Sequence, residues 1–187
     1  QALSYSIDVY RRKIPATKDI VAFFAFVSFF PQLVAGPIER AKQLLPQFEQ
    51  ARRFQPELAV DGLRQILWGL FKKVIVADHC ALFVNEIFDN YSQEPGSRLL
   101  LAAIFFAFQI YGDFSGYSHI AIGAAKILGI ELMTNFRQPY FAHSVQNFWA
   151  RWHISLSTWF RDYIYFPLGE GRGGKLKAAR NLMRNKE

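Results

Sequence analysis

Long apolar blocks separated by short basic clusters organise this chain. Residues 20–38 contain no charged side chain, and residues 99–125 contain one formal charge. An α-helix needs roughly 20 apolar residues to cross a bilayer, so both blocks are candidate membrane-crossing segments. Residues 62–88 carry an apolar stripe at helical spacing, which predicts one long helix that spans the membrane or lies in its interface. The pattern therefore predicts an all-α fold, a polytopic membrane helical bundle with re-entrant or interfacial helices.

The first apolar block contains residues that break helices. Pro31 lies inside it, and Gly36 and Pro37 follow near its end. Broken backbone at membrane depth is tolerated only where protein buries it or where it lines a cavity. The block is therefore either a re-entrant or kinked segment beside a pore or tunnel, or a short helix that ends in a surface loop.

The block at residues 99–125 carries its one formal charge near its middle, at Asp113. An ionised aspartate at mid-bilayer costs roughly 2.5–3.5 kcal/mol, so this side chain is expected to face protein or water. The alternative is two shorter helices with a polar turn at residues 113–118. Upstream, residues 90–96 have the composition of a loop.

Residues 147–162 show the period of a single helix with one aromatic face. Placing residues 100° apart puts His153 at the margin of that face, beside Trp149 and Ser157. A titratable ring at such a seam suits a site whose pKa and access are tuned. A purely structural, hydrogen-bonding histidine is the alternative interpretation.

Composition and charge narrow the class of protein. The 187 residues are 51% hydrophobic and 17% aromatic, which excludes disorder, and a single cysteine excludes a disulfide framework. The net charge of +7 is concentrated in clusters at the edges of the apolar blocks, as in cytoplasmic loops of membrane proteins. No nucleic-acid-binding motif appears, so the expected partner is the lipid bilayer and not nucleic acid.

Two kinds of binding site, a metal site and a dinucleotide-binding loop, are not supported by the sequence. The four histidines lack the spacing of metal ligands, so no metal site is expected. Residues 169–174 have the glycine spacing of a dinucleotide-binding loop, but no βαβ pattern surrounds them. A flexible basic loop is the better interpretation of this run.

Four motifs follow one another in the order found in a known family. They are residues 29–38 (Phe-Phe-Pro-Gln-Leu-Val-Ala-Gly-Pro-Ile), residues 111–118 (Tyr-Gly-Asp-Phe-Ser-Gly-Tyr-Ser), residues 135–140 (Asn-Phe-Arg-Gln-Pro-Tyr) and residues 148–163 (Phe-Trp-Ala-Arg-Trp-His-Ile-Ser-Leu-Ser-Thr-Trp-Phe-Arg-Asp-Tyr). Together they make the chain resemble the membrane-bound O-acyltransferase (MBOAT) family, in the bacterial branch that holds the membrane subunit of alginate O-acetyltransferase. The resemblance implies that residues 1–187 are the central part of a single membrane domain. The early transmembrane helices and the segment with the principal catalytic histidine are expected to be missing.

The resemblance also implies an activity. Such an enzyme sits in the bacterial inner membrane, crosses it several times, and moves an acyl group, here expected to be acetyl, through a tunnel. The donor is an acyl thioester such as acetyl-CoA or a loaded carrier protein, used as a co-substrate, and no cofactor is bound. The acceptor is a hydroxyl of an exopolysaccharide such as alginate, or a periplasmic acetyltransferase partner protein. The fragment itself is expected to be inactive.

Site residues follow from the same resemblance. His153 matches the histidine of the family's Trp-His-Ile-Ser motif and is expected to face the tunnel in a supporting role, while the principal catalytic histidine lies beyond Glu187. Residues expected to contact substrate or to shape its path are Trp149, Trp152, Ser157, Asp113, Arg161 and Asp162. Of these, Asp113 is assigned to interior helix packing or the tunnel wall, and Arg161 and Asp162 are expected to form a cytoplasmic-side charged pair that shapes the donor entrance. The competing class is a non-catalytic membrane transporter or scaffold subunit with Asp113 on a substrate path.

Overall fold

The computed structural model describes residues 1–169, which form only helices and turns. The chain divides into two compact units, residues 1–135 and residues 136–187. The predicted all-α class is therefore confirmed for the described residues. The glycine-rich run that starts at Gly169 continues outside them, so the interpretation of residues 169–174 as a basic loop stays a prediction.

The first unit contains six α-helices. In chain order they are α1 (Ala2–Tyr10), α2 (Ile20–Val27), α3 (Ala41–Glu49), α4 (Pro56–Leu70), α5 (Asp78–Asp89) and α6 (Gly96–Ile127). A π-helical segment, Phe71–Ala77, joins α4 to α5 without a break, so residues 56–89 form one continuous helix. The long helix predicted over residues 62–88 is confirmed, and so is the loop that follows it.

Helix α6 runs unbroken through 32 residues. Within residues 1–169 it is the single helix that is long and apolar enough by composition to cross a membrane. The alternative of a polar turn at residues 113–118 is wrong, because the helix hydrogen-bonding pattern continues through this stretch. Gly112 and Gly116 are both buried there, in positions where the neighbouring helix approaches closely.

Glycines bring α4 and α6 into backbone contact. A methyl group added at Gly62 would lie 2.6 Å from the carbonyl oxygen of Gly123, and one added at Gly69 would lie 2.6 Å from that of Gly116. Farther along, ring contacts continue the packing between α5 and α6, with centroids 5.0 Å apart for Phe83 and Phe105. The two long helices therefore form an antiparallel hairpin, residues 56–127, packed along its whole length.

The first apolar block folds into two short pieces. Helix α2 begins where the Asp19 carboxylate accepts a hydrogen bond from the Ala22 amide at 3.0 Å, and it ends before Pro31. A 3₁₀ turn, Phe30–Gln32, then takes up Pro31. Eight helical residues are too few to cross a bilayer alone. Buried side chains from α2, α3, the end of α6 and the segments that follow α2 and α6 form a hydrophobic core in this unit: Ala22, Phe26, Phe29, Leu44, Leu45, Ala125 and Ile130.

A buried carboxyl group links two loops of this unit. Glu39, just before α3, is 2% exposed and accepts a hydrogen bond from the backbone amide of Met133. Burial raises the pKa of Glu39 to about 7, and neither that hydrogen bond nor the nearby Arg40 offsets the effect. Glu39 therefore holds the segment after α6 to the segment before α3 through a group that titrates near neutrality.

In the second unit, residues 136–169 form short helical pieces. They are a 3₁₀ turn (Pro139–Phe141), α7 (Val145–Trp149), α8 (Ile154–Phe160), a π-helical segment (Arg161–Tyr165) and α9 (Phe166–Gly169). The single helix predicted over residues 147–162 is wrong, because residues 150–153 interrupt it. The carbonyl oxygen of Arg151 accepts the backbone amide of Arg137 at 2.9 Å, a contact between distant residues that periodicity does not reveal.

Candidate functional site

His153 occupies a turn between two helices and not a helical face. It is the residue just before α8, with φ 42° and ψ 54° in the left-handed region. Residues other than glycine seldom adopt this conformation, which costs roughly 1–2 kcal/mol. Strain of this kind persists only where the surrounding structure fixes it, and it is concentrated at functional sites. The backbone therefore holds the imidazole in a defined place.

Ser157 fixes this turn through two hydrogen bonds. Its backbone amide donates to the carbonyl oxygen of His153 at 3.0 Å. Its hydroxyl donates to the carbonyl oxygen of Trp152 at 3.3 Å. Two consecutive carbonyl groups are thus tied to one residue of α8. In this structure the predicted substrate-contacting hydroxyl of Ser157 supports the backbone that carries His153.

An aromatic cluster lies directly before His153. The Trp152 ring meets Phe136 edge-on at 5.0 Å between centroids and stacks on Phe148 at 5.5 Å. Tyr140 stacks on Phe148 at 6.3 Å. Such ring pairs add roughly 0.5–1.5 kcal/mol each beyond their buried area. Trp152 is therefore anchored, and it carries the neighbouring His153 on a rigid apolar base.

Trp149 differs from Trp152 in its exposure. Its ring touches Phe148 edge-on at 5.7 Å, yet the side chain is 53% exposed. An exposed tryptophan beside an anchored aromatic cluster is available for contact with another molecule or with further protein. Of the two predicted tryptophans, Trp149 is the one with a free apolar surface.

Burial sets the charge state of the candidate histidine. The side chain of His153 is half-buried, and loss of hydration lowers its pKa below the usual value. A neutral imidazole has one nitrogen that accepts a hydrogen bond and one that donates. At neutral pH His153 is thus suited to accept from a hydroxyl or to donate to a carbonyl oxygen.

A second aromatic contact and a charged pair lie at the end of α8 and in the π-helical segment after it. Trp159 stacks on Tyr163 with 5.3 Å between ring centroids. Arg161 donates through Nε to a carboxylate oxygen of Asp162 at 3.0 Å, and both side chains remain partly exposed. The predicted Arg161–Asp162 pair is therefore present, and the aromatic face expected on one helix is divided into two clusters.

Asp113 belongs to the first unit, on α6. Its carboxylate lies 2.6 Å from the ammonium group of Lys73, which also lies 2.8 Å from Asp78. Lys73 did not appear among the residues predicted from sequence. It is 40 positions away along the chain, and only the antiparallel pairing of the two long helices brings it to Asp113.

Lys72, next to Lys73, contacts aromatic rings. Its ammonium group lies 5.6 Å from the Trp68 ring centroid and 5.4 Å from that of Tyr111. Cation–π contacts of this length stabilise a charged amine away from bulk water. Within residues 1–169, no group of three or more His, Cys, Asp and Glu side chains is placed to hold a metal ion.

Comparison with known proteins agrees with the motif order. Residues 9–183 match the model of MBOAT, the membrane-bound O-acyltransferase family. The chain is 43% identical over 182 residues to a protein named probable alginate O-acetylase AlgI in Pseudomonas syringae, covering 97% of the chain and 35% of that protein. It is 41% identical over 160 residues to the peptidoglycan O-acetyltransferase of Helicobacter pylori, covering 84% of the chain and 30% of that protein.

A more distant relative is the teichoic acid D-alanyltransferase of Bacillus subtilis, 31% identical over 144 residues, or 75% of the chain and 36% of that protein. The chain spans about a third of the length of the curated relatives it matches. It belongs to the membrane-bound O-acyltransferase family, and the family resemblance expected from its motifs is confirmed. Family membership makes it part of a polytopic membrane protein.

Proposed function

We propose that the full-length protein transfers an acetyl group from a cytoplasmic thioester to hydroxyl groups of an exopolysaccharide, with alginate as the first acceptor to test. The relatives named as alginate O-acetylases support this, since the identity of 43% extends over 97% of the chain. The bacterial inner membrane is the proposed location. An acyl-loaded carrier protein or acetyl-CoA is the proposed donor, and a periplasmic acetyltransferase is the alternative acceptor of the acetyl group.

The reaction needs a base and a hydrogen-bond donor for the developing oxyanion. The acceptor hydroxyl oxygen attacks the acyl carbon and its proton passes to a base. The carbon–sulfur bond breaks, and the donor leaves as a thiolate that takes up a proton to become the free thiol. A water-poor passage limits hydrolysis of the thioester. We assign the base to the family's second histidine, in a Gly-Leu-Trp-His-Gly segment that this sequence does not contain.

His153 takes the supporting role in this proposal. Its neutral imidazole orients the acyl carbonyl or the acceptor hydroxyl. Support comes from the strained turn, the two hydrogen bonds from Ser157 and the anchored Trp152 ring. Trp149 offers apolar contact area to the acyl chain or its carrier, while Arg161 and Asp162 shape the charge at the donor side.

The test is an acetyl-transfer assay with the full-length membrane protein and its bacterial host's exopolysaccharide. His153→Ala is expected to lower the acetyl content of the polymer by at least 100-fold, in line with loss of a positioned acid–base or hydrogen-bonding group. His79→Ala is the matched control, because His79 is an exposed histidine on α5 that bonds only the Val74 carbonyl oxygen at 3.1 Å.

Two results would count against the proposal. If the His153→Ala protein gives the same acetyl content of the polymer as the wild-type protein, His153 is not part of the site. A correctly inserted wild-type protein that leaves every polysaccharide unacetylated would favour the transporter or scaffold interpretation.

A further inference from the structure

Residues 130–135 follow the end of α6 without forming a helix, and they are the last residues of the first unit. They begin after Gly129, whose φ of 69° lies in the left-handed region that glycine adopts without steric cost. Ile130 is 1% exposed and belongs to the hydrophobic core, and Leu132 packs against that core. Apolar contacts therefore hold one side of this segment, and a glycine marks the point where it leaves α6.

The side chain of Gln47, on α3, holds the backbone of the segment. Its Oε1 accepts a hydrogen bond from the amide of Glu131 at 2.8 Å, and its Nε2 donates to the carbonyl oxygen of the same residue at 3.1 Å. A neighbouring β-strand would satisfy these two backbone groups in the same way. The glutamine side chain therefore fixes the register of the segment against α3.

Two further hydrogen bonds hold alternate residues of the segment. The carboxyl group of Glu39 accepts from the amide of Met133. The side-chain amide of Asn135 donates to the hydroxyl of Ser118 on α6 at 3.3 Å, and both residues are buried. Residues 131, 133 and 135 are thus each bound by a different side chain, from α3, from the loop before it and from α6.

Glu39 is the contact in this set that changes with pH. It is 2% exposed, and burial disfavours its charged form, which raises its pKa to about 7. Within the described part of the chain, the charged group that acts on it is Arg40, which lowers the pKa without offsetting burial. The group that faces it from the segment is the uncharged amide of Met133. Water would reach Glu39 if the segment moved away, so the ionised carboxylate favours an open segment.

We infer that residues 130–135 close against α3 and α6 while Glu39 is protonated, and open at Gly129 when Glu39 ionises. Segments of a folded protein open locally with a smaller free energy than global unfolding requires. The segment is the covalent connection from the first unit to the second, so pH sets the freedom of that connection. The inference concerns the fold and does not depend on the acyl group or the acceptor.

Amide hydrogen exchange of the full-length protein tests this opening, with mass spectrometry of peptides that cover residues 130–135. A pKa of about 7 in the closed form and 4.5 in the open form predicts about a 10-fold rise in opening between pH 6 and pH 8. The rates are first corrected for the intrinsic pH dependence of exchange. Peptides from the loop at residues 90–95 are the internal control and are expected to show no such rise. Opening that stays constant between the two pH values would overturn the inference.

Two variants separate the titration from the contacts. Glu39→Gln keeps an oxygen that accepts from the Met133 amide but does not titrate, so exchange of the segment is expected to be as slow at pH 8 as at pH 6. A rise that persists in this variant would overturn the role of Glu39.

Gln47→Ala removes both hydrogen bonds to Glu131 and is expected to raise opening several-fold at both pH values, with the pH dependence retained. Gln43→Ala is the matched control, because Gln43 is an exposed glutamine one turn earlier on α3, and no change is expected. Equal exchange in the Gln47→Ala and Gln43→Ala proteins would overturn the closed form of the segment.

Discussion

The backbone amide of Arg137 donates a 2.9 Å hydrogen bond to the carbonyl oxygen of Arg151. In an uninterrupted helix that carbonyl would accept the amide of Ser155. The contact therefore ends the helical pattern one turn early and leaves His153 in a left-handed turn before α8. A bond between two backbone groups 14 residues apart thus decides how the candidate histidine is presented.

The hydroxyl of Ser157 should matter for activity more than for stability. Ser157→Ala removes the hydrogen bond to the Trp152 carbonyl oxygen, worth about 0.5–1.5 kcal/mol. Acetyl transfer by the full-length protein is expected to fall about 10-fold or more, because the turn that carries His153 loosens. Thr158→Ala is the control, since its hydroxyl bonds the Ile154 and Ser155 carbonyl oxygens within α8. Equal activity of the two variants would contradict the assignment.

Because the backbone at His153 is left-handed, the His153→Gly protein should be more stable than the His153→Ala protein. Both His153→Gly and His153→Ala remove the imidazole, but glycine adopts a positive φ without steric cost. The glycine protein is expected to be more stable by about 1 kcal/mol, measured by thermal unfolding in detergent. Both variants are expected to be inactive. A more stable alanine variant would mean that the turn is not left-handed.

Glu39 should make the stability of the protein fall as pH rises through weakly acidic values. Its pKa is about 7 in the folded protein and 4.5 when unperturbed, so between these values the folded state holds a proton that the unfolded state has lost. The free energy of unfolding then decreases with pH, by up to about 1.4 kcal/mol per unit. Glu39→Gln is expected to flatten this part of the curve, measured by unfolding between pH 4 and 8. An unchanged slope in that variant would assign the effect to other groups.

The glycines between α4 and α6 should tolerate no side chain. Gly69→Ala places a methyl group 2.6 Å from the Gly116 carbonyl oxygen, a backbone atom that cannot move aside. A loss of about 1–3 kcal/mol is expected from overpacking, despite the better helix propensity of alanine. Gly96→Ala is the control, because nothing lies within 4 Å of the added atom. Its effect is expected to stay within about 0.5 kcal/mol, and similar losses in both variants would contradict the close contact.

The pattern of apolar and polar residues along the chain was sufficient to predict the long helices. The apolar stripe over residues 62–88 and the nearly uncharged run over 99–125 both correspond to helices, because side-chain period and turn residues determine them locally. The family assignment also followed from motifs in the right order and is confirmed by the match over residues 9–183.

Tertiary contacts explain what the sequence could not predict. The interruption at residues 150–153 depends on Arg137, and the partner of Asp113 depends on the antiparallel pairing that brings Lys73 to it. The divided aromatic clusters follow from the same interruption. The role proposed for His153 therefore rests on the motif match, because the helical period, which also pointed to this residue, placed it on the wrong kind of element.

The glycine contacts described for α4 and α6 also bear on how the protein works. Two backbones that touch at Gly62 with Gly123, and again seven residues on at Gly69 with Gly116, can neither slide nor roll past each other without collision. The two helices of the hairpin are consequently expected to move as one rigid body. Within residues 1–135, any rearrangement is therefore expected in residues 130–135 and in the shorter helices α1 to α3, which are joined by turns and not by interlocked main chains.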